Sequence, residues 1–411
     1  MIVTVTPSDK ERARNVSAYP LLDRHSRNGD CRVAFSACGD DDGDGGNATA
    51  GGAANGSALS VQEGISQARD KLDRFYSMET FKAPPSESPP PQGGKNVWII
   101  TLGLAQDASA DFDRGATEAG KSMGWEMTSC DGEFSPDKWS QCIRQAITDQ
   151  ADGIALYVID CASIQAPLQQ AGDAGITIVS AESPDCSDQE ETGPSLFDAK
   201  ISFTQGTFAD WLSAQIEANA DWIIANTDGE AKIIELHETD AWALNLMHEA
   251  FQKEIATLCP NCEIVDVIEF VGADLEGPLR EKVEQSLLQN PDANVVAGQY
   301  DDPALTVAPA VRQAKSQGRE LFSTGGVGGE AAMDLIRQDG GIDAAYVYDI
   351  EWEGFHSIDT LNRLFAGEKP VPSGVGVGMV DRENNLPPAG ESWTTDVDFK
   401  SAYREAWGVD E

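Results

Sequence analysis

Between residues 96 and 183 the hydrophobic positions come in short blocks, separated by longer stretches in which they recur every three or four residues. Val97-Trp98-Ile99-Ile100-Thr101-Leu102 is apolar nearly throughout and stops at Gly103. Helical spacing follows over 111–123, then a second strand over 125–129 and a helix over 136–150. A third strand over 153–159, a helix over 163–172 and a fourth strand over 176–180 complete the run. Continuous apolar strands alternating with helices predict a parallel sheet buried on both faces. Ligands of such sheets sit beyond the carboxyl ends of the strands. The segments placed there are Ala105-Gln106-Asp107, Cys130-Asp131, Asp160-Cys161 and Ala181-Glu182-Ser183.

The alternation resumes with a long helix over 208–224. Strands follow over 231–236, 263–270, 293–298, 320–324 and 344–348, with helices over 241–258, 275–289, 303–317 and 330–338 between them. A late helix covers 350–365 and a last strand 373–380. The pattern predicts an α/β fold of two doubly wound parallel-sheet halves split near Thr204, and ligand sites favour such domain interfaces. Upstream, Ile65, Ala68, Leu72, Phe75 and Tyr76 give 61–81 a helical spacing, and 83–94 is rich in proline and glycine. Residues 40–57, rich in Asp, Gly, Ala and Asn, read as a flexible tether.

A chain of 411 residues, 41% hydrophobic, can bury a sizeable core. Nearly all of the net charge of -40 lies beyond residue 96, a field that repels nucleic acid and anionic lipid. It fits the solvated surface of an exported protein, or attraction of cationic ligands. No apolar run approaches the ~18 residues of a membrane helix. Asp40, Asp42, Asp44 and Gly45 open like a calcium loop, but Gly51 stands where its closing glutamate is needed, and no metal is expected. Gly326, Gly328 and Ala331 satisfy a relaxed dinucleotide pattern far from the first unit of a sheet, where that fingerprint works, so no cofactor is expected. His237 and His248 do not have metalloprotease spacing, and the chain has no Gly-x-Ser-x-Gly and no phosphate loop, so the expectation is a protein that is not an enzyme.

Six of the eight cysteines lie beyond residue 96. An even set in an exported chain favours disulfides, each worth ~2–4 kcal/mol. Cys130 ends a strand and Cys142 lies in the next helix, within reach of each other. Cys161 and Cys186 follow consecutive strands. Cys259-Pro260-Asn261-Cys262 has redox spacing but sits at a helix exit, where no helix N-terminus stabilises a thiolate, so a structural bridge is expected.

Phe35-Ser36-Ala37-Cys38 resembles the end of a bacterial lipoprotein signal, followed by an acidic tether, although the apolar signal core is missing from 1–30. Several local patterns resemble the type I periplasmic binding proteins, the ribose-binding-like solute receptors of ABC importers. They are Gly115-Ala116-Thr117-Glu118-Ala119-Gly120 with Gly124-Trp125-Glu126, then Gln150-Ala151-Asp152-Gly153-Ile154, Ala174-Gly175-Ile176, and Phe365-Ala366-Gly367-Glu368-Lys369-Pro370. The resemblance covers 95–380 and implies two lobes joined by a three-segment hinge that close on one small ligand. It assigns 95–203 with 350–370 to lobe one, and 204–349 with 371–411 to lobe two. Residues 1–38 would be a head with a signal remnant, and 39–94 a flexible tether with one helix.

The resemblance further implies a carbohydrate or polyol ligand, an ABC transporter permease as partner and an extracytoplasmic monomer lipid-anchored at Cys38 or periplasmic, with a ligand sensor for a chemoreceptor or sensor kinase as the alternative role of the same fold. By position, lobe one would offer Gln106, Asp107, Phe112, Asp160 and Glu182, and lobe two Asp240, Trp242, Tyr300, Asp301 and Asp349. Carboxylates accept several hydroxyl hydrogen bonds, and aromatic faces cover C–H patches. The stretches Ser180-Ala181-Glu182-Ser183-Pro184-Asp185 and Glu238-Thr239-Asp240-Ala241-Trp242-Ala243 lack the arginines usual in sugar receptors of this kind, which keeps a cationic amine as second choice. Each acid after a strand has a plain alternative as a helix cap. Asp301→Ala is expected to abolish ligand stabilisation and leave the ligand-free fold intact.

Overall fold

The computed structural model describes residues 59–188 and 193–409. Cys38 and residues 39–58 of the expected tether lie outside them. Lobe one is a five-stranded parallel sheet, ordered β2-β1-β3-β4-β5. Its strands are β1 (Asn96–Thr101), β2 (Glu126–Asp131), β3 (Gly153–Tyr157), β4 (Thr177–Ala181) and the short β5 (Ala199–Lys200). The helices α2 (Asp107–Ser122), α3 (Pro136–Thr148) and α4 (Gln165–Asp173) cover it. α2 begins four residues ahead of the predicted helical spacing, because the small polar residues of its first turn carry no apolar signal. Central β1 and β3 are buried along almost their whole length, whereas edge strand β2 is largely exposed, as a sheet covered on both faces requires.

Lobe two is a six-stranded sheet, ordered β11-β10-β9-β8-β6-β7, parallel except for β11 against β10. Its strands are β6 (Lys232–Glu238), β7 (Glu263–Phe270), β8 (Val295–Ala297), β9 (Phe322–Val327), β10 (Ala344–Val347) and β11 (Gly378–Asp381). They alternate with α5 (Phe208–Asn226), α6 (Trp242–Leu258), α7 (Pro278–Gln289), α8 (Asp301–Ser316) and α9 (Glu330–Gln338). In both sheets the chain steps first to one side and then to the other, so a topological switch point lies between β1 and β3, and another between β6 and β8.

Helix α10 (Ile350–Phe365) recrosses to lobe one and packs on α2. The approach is close because Gly115 of α2 faces the carbonyl of Glu351, where a Cβ would stand 2.4 Å from the oxygen. Gly115→Ala is expected to lower stability by about 1–3 kcal/mol through overpacking, read as a lower urea midpoint with an unchanged m-value. The three expected crossings run through 201–207, 348–350 and 371–377. The first and third are tied side by side, with Ser373 N–H donating to Ser202 O and Thr204 N–H to Val375 O. Only Gly378–Asp381 of the expected last strand is a strand, since the residues before it form this crossing.

Two further segments flank the hinge. α1 (Val61–Tyr76) opens on a capping box between Ser60 and Glu63, and lays Ile65, Ala68, Leu72 and Phe75 against α5 and α6 of lobe two. It is therefore a docked helix, not part of a flexible tether. The chain then passes the hinge, where Lys82 N–H donates to Gly374 O, and residues 87–92 bond to Asn362 and Arg363 of α10. At the other end α11 (Phe399–Trp407) packs on α10 in lobe one, although 371–411 was expected in lobe two. Its Trp407 Nε1 donates to Asp359 and its Tyr403 hydroxyl meets Trp352 and His356. All three expected disulfides are formed, Cys130–Cys142, Cys161–Cys186 and Cys259–Cys262.

Candidate ligand-binding cleft

A cavity of about 130 Å³ lies between the carboxyl ends of the two sheets. Lobe one contributes Gln106 and Asp107 at the start of α2; lobe two contributes Tyr300, Asp301 and Asp302 at the start of α8, Val327 at the end of β9, and Gly329 and Ala331 beyond it. The lobes touch across it, Gln106 Nε2 donating to Asp302 Oδ2 at 3.0 Å. No lysine, arginine or histidine lines the cavity among the described residues. Burial raises the Asp302 carboxyl above its ordinary value against the pull of Gln106, and the nearby Asp107 charge raises it further.

Beside the cavity, Tyr300 Oη donates to Glu238 Oε2 at 2.5 Å. Burial and the neighbouring acids Asp240 and Asp302 push Glu238 up to about 7. Asp240 is exposed and accepts from Gly272 N–H at 3.2 Å. Glu238 was not expected as a site residue, because the apolar run ends at Leu236 while the strand runs two residues further.

Asp301 has a different job from the one expected. Its Oδ1 accepts from Gly326 N–H at 3.1 Å, and its Oδ2 from Gly328 and Gly329 N–H at 3.1 and 2.8 Å. The carboxylate fixes the glycine turn after β9, where Val327 is held at a φ of 89°. It borders the cavity with three of its about four acceptor sites taken by the turn.

Nearer the hinge, Glu182 stands at the end of β4 with a φ of 52°. It accepts from Tyr157 Oη at 3.0 Å and from Tyr348 Oη at 3.2 Å, and the Glu353 carboxyl of α10 lies against it. Tyr157, Tyr348 and Glu353 were not foreseen. Trp242 is half-buried and stacks on Phe208 with centroids 6.4 Å apart.

Six expected site residues do not line the cavity: Glu182, Asp240 and Trp242, placed above, and Phe112, Asp349 and Asp160. Phe112 is fully buried and stacks on Tyr157 at 4.5 Å, because the inward face of α2 points into the core and not the cleft. Asp349 is spent as the N-cap of α10, accepting from Trp352 N–H at 3.1 Å and from Thr395 N–H at 3.0 Å. Asp160 precedes the short turn Cys161–Ile164 beside the Cys161–Cys186 bridge, and does not line the cavity.

A family model described as a periplasmic binding protein domain matches residues 105–369. The chain belongs to that family. It is a family of solute-binding proteins that work outside the cytoplasm, not of enzymes. No curated protein matches. Among solved structures, an ABC transporter solute binding protein from Mycobacterium smegmatis with bound glycerol is similar at a TM-score of 0.61 and 18% identity, over 73% of this chain and 99% of that one. A solute binding protein from Burkholderia graminis C4D1M in complex with D-arabinose gives 0.60 and 18%, over 72% and 98%. A glucose-galactose binding protein from Geobacillus stearothermophilus gives 0.61 and 18%, over 72% and 100%. At such identities the likeness shows the fold. In this periplasmic binding protein, Gln106 and Asp302 span the cavity between the lobes.

Proposed function

We propose that this protein is the extracytoplasmic receptor of an ABC importer, trapping one sugar or polyol between its lobes and presenting it to the permease. The observation that carries this reading is the cavity shared by Gln106 and Asp107 of one lobe with Tyr300 and Asp302 of the other. A hydroxyl-rich ligand in it exchanges the Gln106–Asp302 bond for bonds to both partners. A ligand that touches both lobes favours the closed form, which is a population shift and requires no chemistry. The structural neighbours bound to glycerol and D-arabinose support the ligand class. Anchoring through Cys38 belongs to the same reading, supported by the small residues before Cys38 and the acidic stretch after it, as does a monomeric state. A second ligand class, cationic amines, is favoured by the absence of any base from the lining and the presence of Asp107 and Asp302.

A thermal-shift panel of pentoses, hexoses and polyols against amines and quaternary ammonium compounds tests this. A ligand at ~100 times its dissociation constant adds about 2.7 kcal/mol. Gln106→Ala is expected to weaken that ligand about tenfold, with ligand-free stability changed by less than about 1 kcal/mol. A shift from amines alone replaces the ligand class. An unchanged dissociation constant in the variant removes this cavity from the site.

A further inference from the structure

Glu353 is completely buried on the first turn of α10, and neither of its oxygens meets a hydrogen-bond donor among the described residues. Among the described residues no cation faces it either. On its own helix, Glu351 is turned outward to Arg114 of α2 and Lys400 of α11, Asp349 is closed off by two backbone amides, and His356 is held by Tyr403 and Val371 O. α2 meets the neighbouring Gly354 with the backbone of Phe112, Gly115 and Ala116. From β3, β4 and the crossing after β10 come Tyr157, Glu182 and Tyr348, one acid and two phenols. Burial raises both phenols well above their usual range, so they are donors and not anions. A bare carboxylate here would be an uncompensated buried charge, which proteins avoid.

We propose that Glu353 holds a proton at neutral pH and donates a hydrogen bond through it to Glu182, so that a carboxylic acid–carboxylate pair sits between the end of β4 and α10, on the hinge side of the cavity. Glu182 then accepts three bonds, from Tyr157, Tyr348 and Glu353. An ionised carboxylate has about four acceptor sites, which leaves one for a ligand hydroxyl or ammonium. Glu353 is thus a positioning residue that acts on the ligand through Glu182, and this part of the inference rests on the cleft reading above.

Burial drives both carboxyls up. The pair's stabilisation is fully present below the ordinary glutamate value of about 4.3 and is lost as pH rises through the raised value, where two adjoining carboxylates remain. Three ligand-free readouts decide the protonation. In infrared difference spectra at pH 7, wild type minus Glu353→Gln should show a carboxylic-acid carbonyl band. The thermal midpoint of Glu353→Gln, whose amide still donates, should gain on wild type steadily as pH rises from 5 to 9. Glu353→Ala, with a cavity and no donor, should fall below both at pH 6. Absence of the band, or parallel pH profiles for wild type and Glu353→Gln, overturns the proposal.

Glycerol, D-arabinose and D-glucose serve as probes for the positioning role. The probe that binds wild type should lose about tenfold in affinity in Glu353→Ala and recover in Glu353→Gln. Equal losses in both variants overturn that role. If none of the probes, nor any amine, binds wild type, the cleft reading fails, while the infrared and pH results still decide the pair.

Discussion

Asp301→Ala is expected to lower the thermal midpoint of the ligand-free protein by roughly 5 °C or more, besides weakening ligand binding. The structure reverses the expectation of an intact ligand-free fold. Three amides, those of Gly326, Gly328 and Gly329, end on this one carboxylate. Each buried donor left unmet costs about 1–3 kcal/mol, so the loss is on the order of 3 kcal/mol even if water reaches some of them. Backbone strain adds to it. Val327 sits at a φ of 89°, which a β-branched residue avoids, and the carboxylate is what holds the turn there. Asp301→Asn should be only a partial remedy, because one side of an amide presents N–H to N–H. Differential scanning calorimetry of both variants without ligand checks this. A midpoint unchanged in Asp301→Ala would mean that the turn holds itself, and would return Asp301 to the list of ligand contacts.

What the sequence made legible follows from how the sheets are covered. Strands such as β1 and β3 are buried on both faces, so they read as apolar blocks, and the segments that end them locate the cleft. Gln106 and Asp107 were found this way, and Tyr300 and Asp301 by position from the resemblance. Their roles were harder to see, because a carboxylate at a strand end looks the same whether it meets a ligand or three backbone amides. Phe112 was misplaced since helical spacing gives no absolute face, and Tyr157, which it supports, passed as an apolar strand residue. Glu353 was invisible for a different reason. The mixed sequence of α10 reads as an amphipathic helix with a solvated face, yet from Ile350 to Arg363 every residue but Glu351 is buried. That burial comes from α2, α11 and residues 87–92, three elements distant in the chain, whose docking no local pattern announces.

The same distant docking yields the prediction with the largest effect. A chain shortened to begin at Lys95 keeps the whole resemblance to the family and both sheets, and should still be far less stable than the full chain. It loses Ile65, Leu72, Phe75 and Phe81, all buried, and exposes their partners on α5, α6 and around Trp352 and Trp393. Burial of four such side chains is worth on the order of 6–12 kcal/mol before the entropy of ordering the segment is set against it, so a net loss of several kcal/mol is expected. The electrostatic loss points the same way. Lys71 is the cation paired with Glu254, beside the fully buried Asp221, whose carboxyl burial and Glu254 raise to about 9. Without Lys71 two acids face each other across α5 and α6 with no counter-charge from α1. The hinge is affected as well, because Thr80 and Lys82 bond to Val377 and Gly374 of the third crossing. Urea unfolding of the full and shortened chains measures the difference. A synthetic peptide covering 59–94, added in trans, should raise the shortened chain's midpoint in a concentration-dependent way. Equal midpoints for the two chains would show that α1 merely rests on lobe two. A peptide with Lys71→Glu that restores as well as the native one would leave apolar packing as the whole of its contribution.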